Sequence, residues 1–314
     1  MNAIVDPLLR DVTIFTSFLV LVSVGITLTY LTSKVPNFTQ GTFVTFGVYV
    51  SLTVAKVWAS SPYLASILAF LLTGFASYLV YKFALAPQIK RNAPSTALIM
   101  TTVAIDTLFI GIFNSYADYL QLELGITSRL FLLKNFDFVM FGENGILFVA
   151  PALVAILVVT LHLLLTRTRF GIAMRAAVVH PALASVLGVN VQVVYATSWF
   201  TAGGLAGAAG ALFPLWFQSS PNIAFSSLLI SGFAASILGG LLNIYGAFLG
   251  GVIMGVAEIL GTVFLGDVVG TWIIGYRLAI PLTIMVVTLL IIPQGIMNVS
   301  WRTLMRRLKR DGES

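Results

Sequence analysis

The sequence has 314 residues, of which 59% are hydrophobic and 9% are charged, and its formal net charge is +6. This apolar fraction exceeds the roughly 45–50% of soluble domains. At about 20 residues per span, the length of the chain leaves room for roughly eight to ten membrane helices and no sizeable soluble domain. The apolar stretches are continuous rather than alternating and the chain has no cysteine, so closed β-barrels, disulfides and thiolate metal sites are excluded.

The apolar residues form nine segments, which predict an all-α fold. The expected architecture is a single polytopic membrane domain over residues 1–314, with about nine transmembrane or re-entrant helices. The segments 40–58 and 225–240 are short and rich in small residues, so each is a candidate for a tilted, broken or re-entrant helix, a form that survives at membrane depth only when protein buries it. The nine segments are 12–33, 40–58, 63–86, 96–113, 145–166, 191–217, 225–240, 243–264 and 272–293.

The chain begins with MNAIVDPLLRD, which lacks a basic n-region and a cleavage site of small residues, so the first helix is predicted to remain uncleaved. The second segment is entered through KVPNFTQGTFVTFG, where Thr39 suits a helix cap and Pro36 fixes the approach. Two interpretations of Asn37 and Gln40 stay open. They belong to the capped turn, or they lie near a transport pathway.

The basic residues predict the orientation, since cytoplasmic loops of membrane proteins carry an excess of lysine and arginine. They place the turns 34–39 and 87–95, the loop 167–190 and the basic tail 301–314 in the cytoplasm, with the N-terminus outside. The charge of the tail is expected to set the topology and to contact anionic lipid, and nucleic-acid binding is not predicted. The expected location is the inner or plasma membrane of the cell.

The loop 114–144 is the only long external segment under this orientation, and it mixes charged with aromatic residues. It either docks a soluble protein delivered from outside or packs over the helix ends. The sequence alone does not separate these two interpretations.

Two carboxylates, Asp106 and Glu258, fall inside apolar segments, where an ionisable side chain is costly and faces the protein interior. Three interpretations of these carboxylates stay open: they line a translocation pathway, they relay protons, or they form hydrogen bonds that lock their helix to a neighbouring helix. The metalloprotease, α/β-hydrolase and P-loop motifs are absent, and His162 and His180 have no matching ligand cluster. No catalytic, cofactor-binding or metal-binding residue is therefore predicted, and no enzymatic activity.

The loop 167–190 carries three arginines and separates two long apolar segments. Gly171 is predicted to open a short helix that ends before Pro181, and Pro181 to begin a second helix that Gly188 ends. The product is a helix–kink–helix along the membrane surface, with a smooth face of alanines. Such a face either docks in a groove of a soluble partner or lies passively at the membrane–water interface. A passive helix, however, needs a more strongly apolar face with more polar residues opposite it.

Glycines recur at helical spacing in AGGLAGAAGALFP and in ILGGLLNIYGAFLGGVIMGVAEILG. Small residues on one helix face let membrane helices approach closely, where lipid supplies no hydrophobic drive. Close packing is one interpretation, and a pore-lining or sliding interface is the other. The glycines concerned include Gly203, Gly207, Gly239, Gly240, Gly246 and Gly250.

Five stretches resemble, in the same order, motifs of the H-type permeases of ABC importers for branched-chain amino acids. PNFTQGTFVTFGVYVS resembles the family's N-F-A-x-G-E-x-x-x-x-G-x-Y stretch, and GIAMRAAVVHPALASVLGVN resembles its G-x-x-x-R-A…N-P-x-x-A-x-x-x-G-I-N loop. FTAGGLAGAAGAL resembles the next helix, SILGGLLNIYGAFLGGVIMGVAE the glycine-rich segment, and LIIPQGIMN the P-x-G-I-x-G ending. His180, Thr39 and Gln40 depart from the usual residues, and relatives with this architecture carry urea, short amides or other amino acids.

The resemblance implies an importer in which this chain forms the pathway with a second permease subunit, of the M type or a second copy. Two cytoplasmic ATPases would bind ATP and Mg²⁺, neither of which this chain binds, and an external substrate-binding protein would deliver the amino acid. The loop 167–190 would act as a coupling helix in an ATPase groove. The residues matched to that role are Gly171, Arg175, Ala176, Pro181, Ala184 and Gly188.

Two alternatives remain at this point. One is a secondary transporter or channel for a small polar solute, in which Asp106 and Glu258 bind a coupling ion. It predicts an internal inverted repeat, and the two halves of the chain show no convincing repeat. The other is an ABC permease for urea or amides.

Overall fold

The computed structural model describes residues 6–298, except for the side chains of 223–226 and 298, so the predicted tail 301–314 lies outside the described residues. This part of the chain is almost entirely helical. Its α-helices are α1 (Pro7–Ser33), α2 (Gln40–Lys56), α3 (Pro62–Leu79), α4 (Ala86–Lys90), α5 (Ser95–Leu122), α6 (Ile146–Arg167), α7 (Arg169–Val179), α8 (Pro181–Val186), α9 (Val191–Leu212), α10 (Ile223–Gly239), α11 (Ile244–Val269) and α12 (Ala279–Ile291).

The remaining regular elements are short. A π-helical segment, Val80–Leu85, joins α3 to α4 without a break. Two strands, β1 (Val139–Met140) and β2 (Glu143–Asn144), pair antiparallel between α5 and α6. The 3-10 turns are Lys134–Phe136, Phe213–Leu215, Thr271–Tyr276 and Ile296–Asn298.

Each of the nine predicted apolar segments corresponds to an α-helix of 13 residues or more, which confirms the all-α fold class. Within the described range, five helices are long and apolar enough to cross a membrane: α1, α3 with its extension to Lys90, α5, α6 and α11. The protein is therefore an all-α, multi-pass membrane protein.

α5 is longer than predicted, because the apolar segment 96–113 is part of a helix that runs to Leu122. The added turns are amphipathic: Phe113, Ala117 and Leu120 are buried at helical spacing, and the polar residues between them are more exposed. A hydropathy average falls where such a pattern begins. The predicted external loop 114–144 is therefore wrong in its first part, which is helix up to Leu122.

The last apolar segment, 272–293, is divided in two. It begins with the 3-10 turn Thr271–Tyr276, and α12 starts only at Ala279. Pro281 lies in the first turn of α12, the part of a helix where its missing N–H and fixed φ are tolerated. A hydropathy count does not detect this interruption, because the turn is as apolar as the helix.

α1 lies at the centre of the bundle and is almost wholly buried, with α9, α10 and α11 packed around it. Its sequence is hydrophobic on all sides, the pattern of a helix surrounded by protein. Two of its hydroxyls bond to neighbouring helices: Thr27 pairs with Ser236 of α10 at 2.5 Å, and Ser23 donates to the Ala247 carbonyl of α11 at 3.0 Å. α1 therefore ties the first half of the chain to the second.

α3 and α9 approach so closely that their backbones nearly touch. The Thr73 hydroxyl of α3 donates to the Gly203 carbonyl of α9 at 2.9 Å, and a Cβ at Gly207 would overlap the Thr73 side chain. Hydrogen bonds and tight packing thus replace the hydrophobic drive that lipid cannot supply.

The connections gather at two ends of the bundle. One end, the α7–α8 end, carries those two helices, with α4 beside α8. The other is the loop end, where the chain around Phe131 pairs with that around Ser219 through two backbone hydrogen bonds of 3.0 and 2.9 Å. The segments at the loop end are 57–61, 123–145, 213–222 and 270–278.

Candidate functional site: the coupling loop and the buried polar residues

The α7–α8 loop has the predicted helix–kink–helix shape, with Pro181 as the first residue of α8. α7 begins at Arg169, because the Thr168 hydroxyl accepts the Gly171 N–H at 3.3 Å and caps the helix there. The prediction that Gly171 opens the helix is therefore wrong by two residues. Gly188 follows α8 with φ of +84°, the left-handed backbone that commonly ends a helix.

Two residues assigned to partner docking hold the loop to its own bundle. The Arg175 guanidinium donates to the Leu165 carbonyl in the last turn of α6 at 2.5 Å, where the helix dipole favours a cation. Gly171 lies against the same Leu165 backbone, and a Cβ there would overlap it. From α9, the Tyr195 hydroxyl donates to the Ala177 carbonyl at 3.4 Å. α7 is thus fastened to α6 and to α9.

The outward surface of the loop is apolar, and its two most exposed apolar side chains lie at the end of α8 and directly after it. Val186 and Leu187 are 82% and 74% exposed, and Leu183 is exposed beside them. A partner seated on this loop would therefore meet these three side chains, none of which the sequence motif singles out. Of the six predicted coupling residues, Arg175, Pro181 and Gly188 are exposed, Ala176 is half-buried, and Gly171 and Ala184 are buried.

The turn into α2 lies inside the bundle rather than at its surface. Asn37, Thr39 and Gln40 are fully buried, and the Gln40 side chain reaches α9, where it donates to the Ala202 carbonyl at 3.0 Å. Asn37 Oδ1 accepts the Thr39 N–H at 3.1 Å and the Thr39 hydroxyl at 2.5 Å. Asn37 therefore stabilises this turn. Thr39 occupies the N-cap position of α2 as predicted, but its side chain forms no capping hydrogen bond to the helix. Gln40 also lies against Gly25, well inside α1, so α2 starts part-way along the bundle.

Asp106 of α5 lies against the first turn of α2. Its carboxylate is buried, and the Thr42 side chain lies beside it. The N-terminus of a helix carries a partial positive charge, so the start of α2 stabilises a carboxylate at this position. Asp106 Oδ1 accepts no hydrogen bond from the described residues. Asp106 thus joins α5 to α2, on the side of α5 that faces the bundle.

Glu258 has a partner that the sequence did not indicate. It is fully buried in α11, and its Oε1 accepts a hydrogen bond from Arg277 Nε at 2.6 Å. The Arg277 guanidinium also lies 4.1 Å from the centre of the Phe15 ring of α1. The pair links α11, α1 and the approach to α12, and it leaves Glu258 a poor ligand for a coupling ion.

The second glycine-rich segment brings α10 and α11 into direct backbone contact. A Cβ at Gly239 would overlap the Gly246 carbonyl, and a Cβ at Gly250 would overlap the Ala235 carbonyl. Gly240 follows α10 with φ of +102°, a conformation that other residues rarely adopt. All six glycines assigned to helix packing are buried within the subunit.

The loop end is fastened by ion pairs and aromatic contacts. Arg10 at the start of α1 forms a salt bridge with Glu143 of β2. The neighbouring Asp11 accepts the Trp216 indole N–H at 2.6 Å, and Lys134 Nζ lies 4.5 Å from the centre of the Trp216 ring. Part of the connection 123–145 thus packs over the helix ends, while several of its aromatic side chains stay exposed.

Comparison with known proteins places this chain among membrane permeases. A family profile described as the permease component of the branched-chain amino acid transport system matches residues 8–292. The chain is 42% identical over 301 residues to a probable branched-chain amino acid transport permease protein, LivH, of Methanocaldococcus jannaschii, covering 96% of this chain and 95% of that protein. It is 28% identical over 288 residues to the high-affinity branched-chain amino acid permease protein BraD of Pseudomonas aeruginosa, covering 88% and 91%.

Among solved structures, PsaBC from Streptococcus pneumoniae in complex with Fab resembles this fold. The TM-score is 0.50 at 11% sequence identity, and the alignment covers 92% of this chain and 93% of that chain. At this identity the likeness concerns the fold alone.

Proposed function

This chain belongs to the family of permease components of branched-chain amino acid transport systems, with the H-type likeness confirmed by LivH, and we propose that it is one of two permease subunits of an ATP-driven importer for branched-chain amino acids. The amino acid would pass between this chain and the second permease subunit. An external binding protein would deliver it, and two cytoplasmic ATPases, which bind the ATP and Mg²⁺, would act on the α7–α8 loop.

The main observation behind this proposal is the structure of the α7–α8 loop. It projects an apolar surface, with Val186 and Leu187 mostly exposed, from an end of the bundle that also carries exposed arginines. An apolar helical surface of this kind fits a groove in a soluble partner. The bond from Arg175 to Leu165 fixes the loop to α6, so force applied to the loop reaches the membrane helices.

The helices behind the loop support such transmission. The Ser77 hydroxyl of α3 donates to the Trp199 carbonyl of α9 at 2.7 Å, and a Cβ at Gly210 of α9 would overlap the Val44 carbonyl of α2. Closely packed helices shift as units rather than deform continuously. A displacement of α9 by the ATPases would therefore carry α2 and α3 with it.

The outer face of α5 supports a second permease subunit. Ala104, Thr107, Gly111 and Ser115 recur at helical spacing on the side opposite Asp106, and all four are exposed. Small and hydroxyl-bearing residues favour the close approach of another helix, since lipid chains gain nothing from them. We place the second subunit, and the pathway between the two, along this face.

The charges support an orientation for the importer. Arg167, Arg169 and Arg175 are exposed at the α7–α8 end, and positively charged loops face the cytoplasm. If each of the nine predicted segments crosses the membrane, the N-terminus lies outside and the C-terminus in the cytoplasm. The external binding protein would meet the loop end, at the connection 123–145.

The coupling proposal is tested with Val186→Glu, which places a charge on the exposed surface of α8 without touching the anchors of α7. Leu124→Glu, at an exposed position of the loop end, is the matched control. Burying an unpaired carboxylate in an apolar interface costs several kcal/mol, so ATPase binding should fall more than tenfold. ATP-dependent uptake into proteoliposomes should fall with it. The control lies on the surface assigned to the binding protein, so it is compared for ATPase binding alone, which it should keep.

Normal ATPase co-purification and uptake by Val186→Glu would overturn the coupling role of the loop. The substrate needs a separate measurement: uptake of radiolabelled leucine, urea and acetamide by the complex reconstituted with its binding protein. Leucine transport is expected, and transport of urea or acetamide alone would overturn the substrate assignment.

A further inference from the structure

The hairpin formed by β1 and β2, between α5 and α6, ends in an apolar tip. Two residues, Phe141 and Gly142, join the strands, and residues 138–142 read FVMFG, with no charged or polar side chain. Val139 and Phe141 are 69% and 71% exposed, and Met140 is exposed between them. No function assigned above uses this tip.

The turn of the hairpin holds an aromatic residue where the backbone favours a different one. Phe141 has φ of +52° and Gly142 has φ of +81°, the pair of positive angles that a two-residue turn of type I′ requires. Asn, Asp and Gly are the usual residues there, because a bulky side chain rarely adopts a positive φ. Phe141 thus costs backbone strain and, in water, the exposure of its ring. An asparagine would avoid both costs, so the ring points to surroundings other than water.

Both sides of the hairpin are apolar. Successive residues of a strand point to opposite faces, so Val139 and Met140 lie on different sides, and both are exposed. Antiparallel strands that pack on protein with one face commonly have polar residues on the other. A docked protein would cover one side of this tip and leave the other side in water. Lipid surrounds a protruding tip on every side, and it therefore suits this distribution of side chains.

The base of the hairpin is fixed at the starts of three helices. Glu143 of β2 forms its salt bridge with Arg10 in the first turn of α1. Asp137, two residues before β1, accepts the Tyr63 hydroxyl from the first turn of α3 and, at 3.2 Å, the Ile146 N–H of α6. α6 has 22 residues, which is about 33 Å at 1.5 Å per residue, close to the roughly 30 Å of a hydrocarbon core. The hairpin therefore lies at the level where α6 leaves the hydrocarbon, at the membrane–water interface.

The tip continues an exposed apolar stripe of α6. The centre of the Phe141 ring lies 6.4 Å from that of Phe148, in the first turn of α6. Phe148 is itself exposed, and Ile156, Val159 and Leu163 follow it on the same side of the helix, all exposed. α6 is long and apolar enough to cross a membrane and packs mainly on α1 and α7, whereas the second subunit is assigned to α5. The stripe therefore faces lipid, and the tip extends this surface beyond the start of the helix.

We propose that the tip of this hairpin, residues 139–142, inserts into the interfacial region of the outer leaflet and anchors the loop end of the subunit to lipid. The tip has no charge, so it meets the upper part of the acyl chains without preference for a headgroup. Because the base is bonded to the starts of α1, α3 and α6, the anchor sets the depth of these three helices together. The external binding protein would then meet the part of the connection that precedes the hairpin. The anchor depends on the membrane location of α6 and not on the importer role.

The test places a fluorescent label on each side of the tip, in the complete transporter in phosphatidylcholine nanodiscs with cysteine-free partner subunits. The chain has no cysteine, so Val139→Cys and Met140→Cys each carry one label at a defined position. Asn135→Cys, at an exposed polar position of the same connection, is the matched control. Phosphatidylcholine brominated near the headgroup end of its chains should quench both hairpin labels. Iodide in the water should quench the control label and leave the hairpin labels shielded.

Three results would overturn the proposal. The first is quenching of the hairpin labels by iodide as strong as that of the control. The second is quenching by brominated lipid at only one of the two hairpin positions, because an immersed tip meets lipid on both sides. The third is shielding that appears only after the external binding protein is added, which would assign the tip to that protein.

A second measurement tests the Phe141 ring without disturbing the turn. Asparagine favours this turn type, so Phe141→Asn should keep the hairpin folded. The variant lacks the ring that contacts Phe148, and a label at Met140→Cys should become more accessible to iodide and less quenched by brominated lipid. Unchanged quenching by both agents would overturn the assignment of Phe141 as the anchor.

Discussion

Removing the buried carboxylate of Glu258 tests how the second half of the bundle is held together. Glu258 is fully buried, whereas the Arg277 side chain is 26% exposed and rests on the Phe15 ring. Glu258→Ala takes away the counter-charge and leaves the guanidinium partly buried. Replacing both residues by methionine removes both charges and keeps apolar volume in their place.

The structure sets the size of the expected effects. Breaking a buried pair by removing one partner costs about 3–5 kcal/mol, because the other charge is stranded. In Glu258→Ala, Arg277 keeps its partial exposure and its contact with Phe15, and a cation–π contact is worth about 0.5–2 kcal/mol. The cost should therefore lie at the low end of the range of about 3–5 kcal/mol, so Glu258→Ala should lower the free energy of unfolding by about 3 kcal/mol. Arg277→Met should cost about 5 kcal/mol, since Glu258 has no exposure to water. The double methionine variant should cost about 1 kcal/mol or less.

The measurement is reversible unfolding of the purified chain in mixed micelles, and Glu258→Met is measured beside Glu258→Ala so that the two single methionine variants and the double methionine variant form a double-mutant cycle. The control is Asp118→Ala, which breaks a pair with Arg129 in which both side chains are about half exposed, and it should cost no more than about 1 kcal/mol. Single-variant costs that simply add in the double variant would refute the reasoning. So would a cost for Glu258→Ala as small as that of the control.

Three further outcomes follow from the packing and capping described above. Gly207→Ala forces a Cβ into the α3 side chain against it and should lower the free energy of unfolding by about 1–3 kcal/mol. Gly111→Ala, with open space around its Cβ in the interior of α5, should instead raise the free energy of unfolding by up to about 1 kcal/mol in the same assay. Asn37→Ala removes the acceptor that orders the start of α2 and should cost about 1–2 kcal/mol; a cost below about 0.5 kcal/mol would show that the turn does not depend on it. Arg175→Met removes the donor to the Leu165 carbonyl and should raise the rate of proteolytic cleavage at the α7–α8 loop several-fold, with Arg175→Lys at an intermediate rate. Equal rates in the unchanged protein and both variants would contradict the claim that Arg175 anchors α7 to α6.

The helix–kink–helix of the α7–α8 loop could be predicted because its signals are local. A proline starts a helix and a glycine ends one through their own backbone preferences, and Pro181 and Gly188 do so here. The limit of such reasoning appears at Gly171 and Arg175. The family motif assigns them to a partner, while the structure places both against Leu165 of the same chain.

The length of α5 and the interruption before α12 show where hydropathy counting fails. The last turns of α5 alternate buried and polar residues, so their average hydropathy falls although the helix continues to Leu122. The turn Thr271–Tyr276 is apolar but is not α-helical. Composition over a window follows apolar content, whereas the end of a helix depends on the burial of individual faces.

The sequence by itself determined the class of protein, the number and order of the long helices, and the family, because each depends on contiguous residues or on motifs in a fixed order. Tertiary structure alone decided the partners of the buried polar groups: Arg277 for Glu258, the start of α2 for Asp106, and Ala202 for Gln40. The physical reason is that lipid exerts no hydrophobic force that would orient one apolar face over another, so the sides on which helices meet depend on close packing and hydrogen bonds between residues distant in the chain.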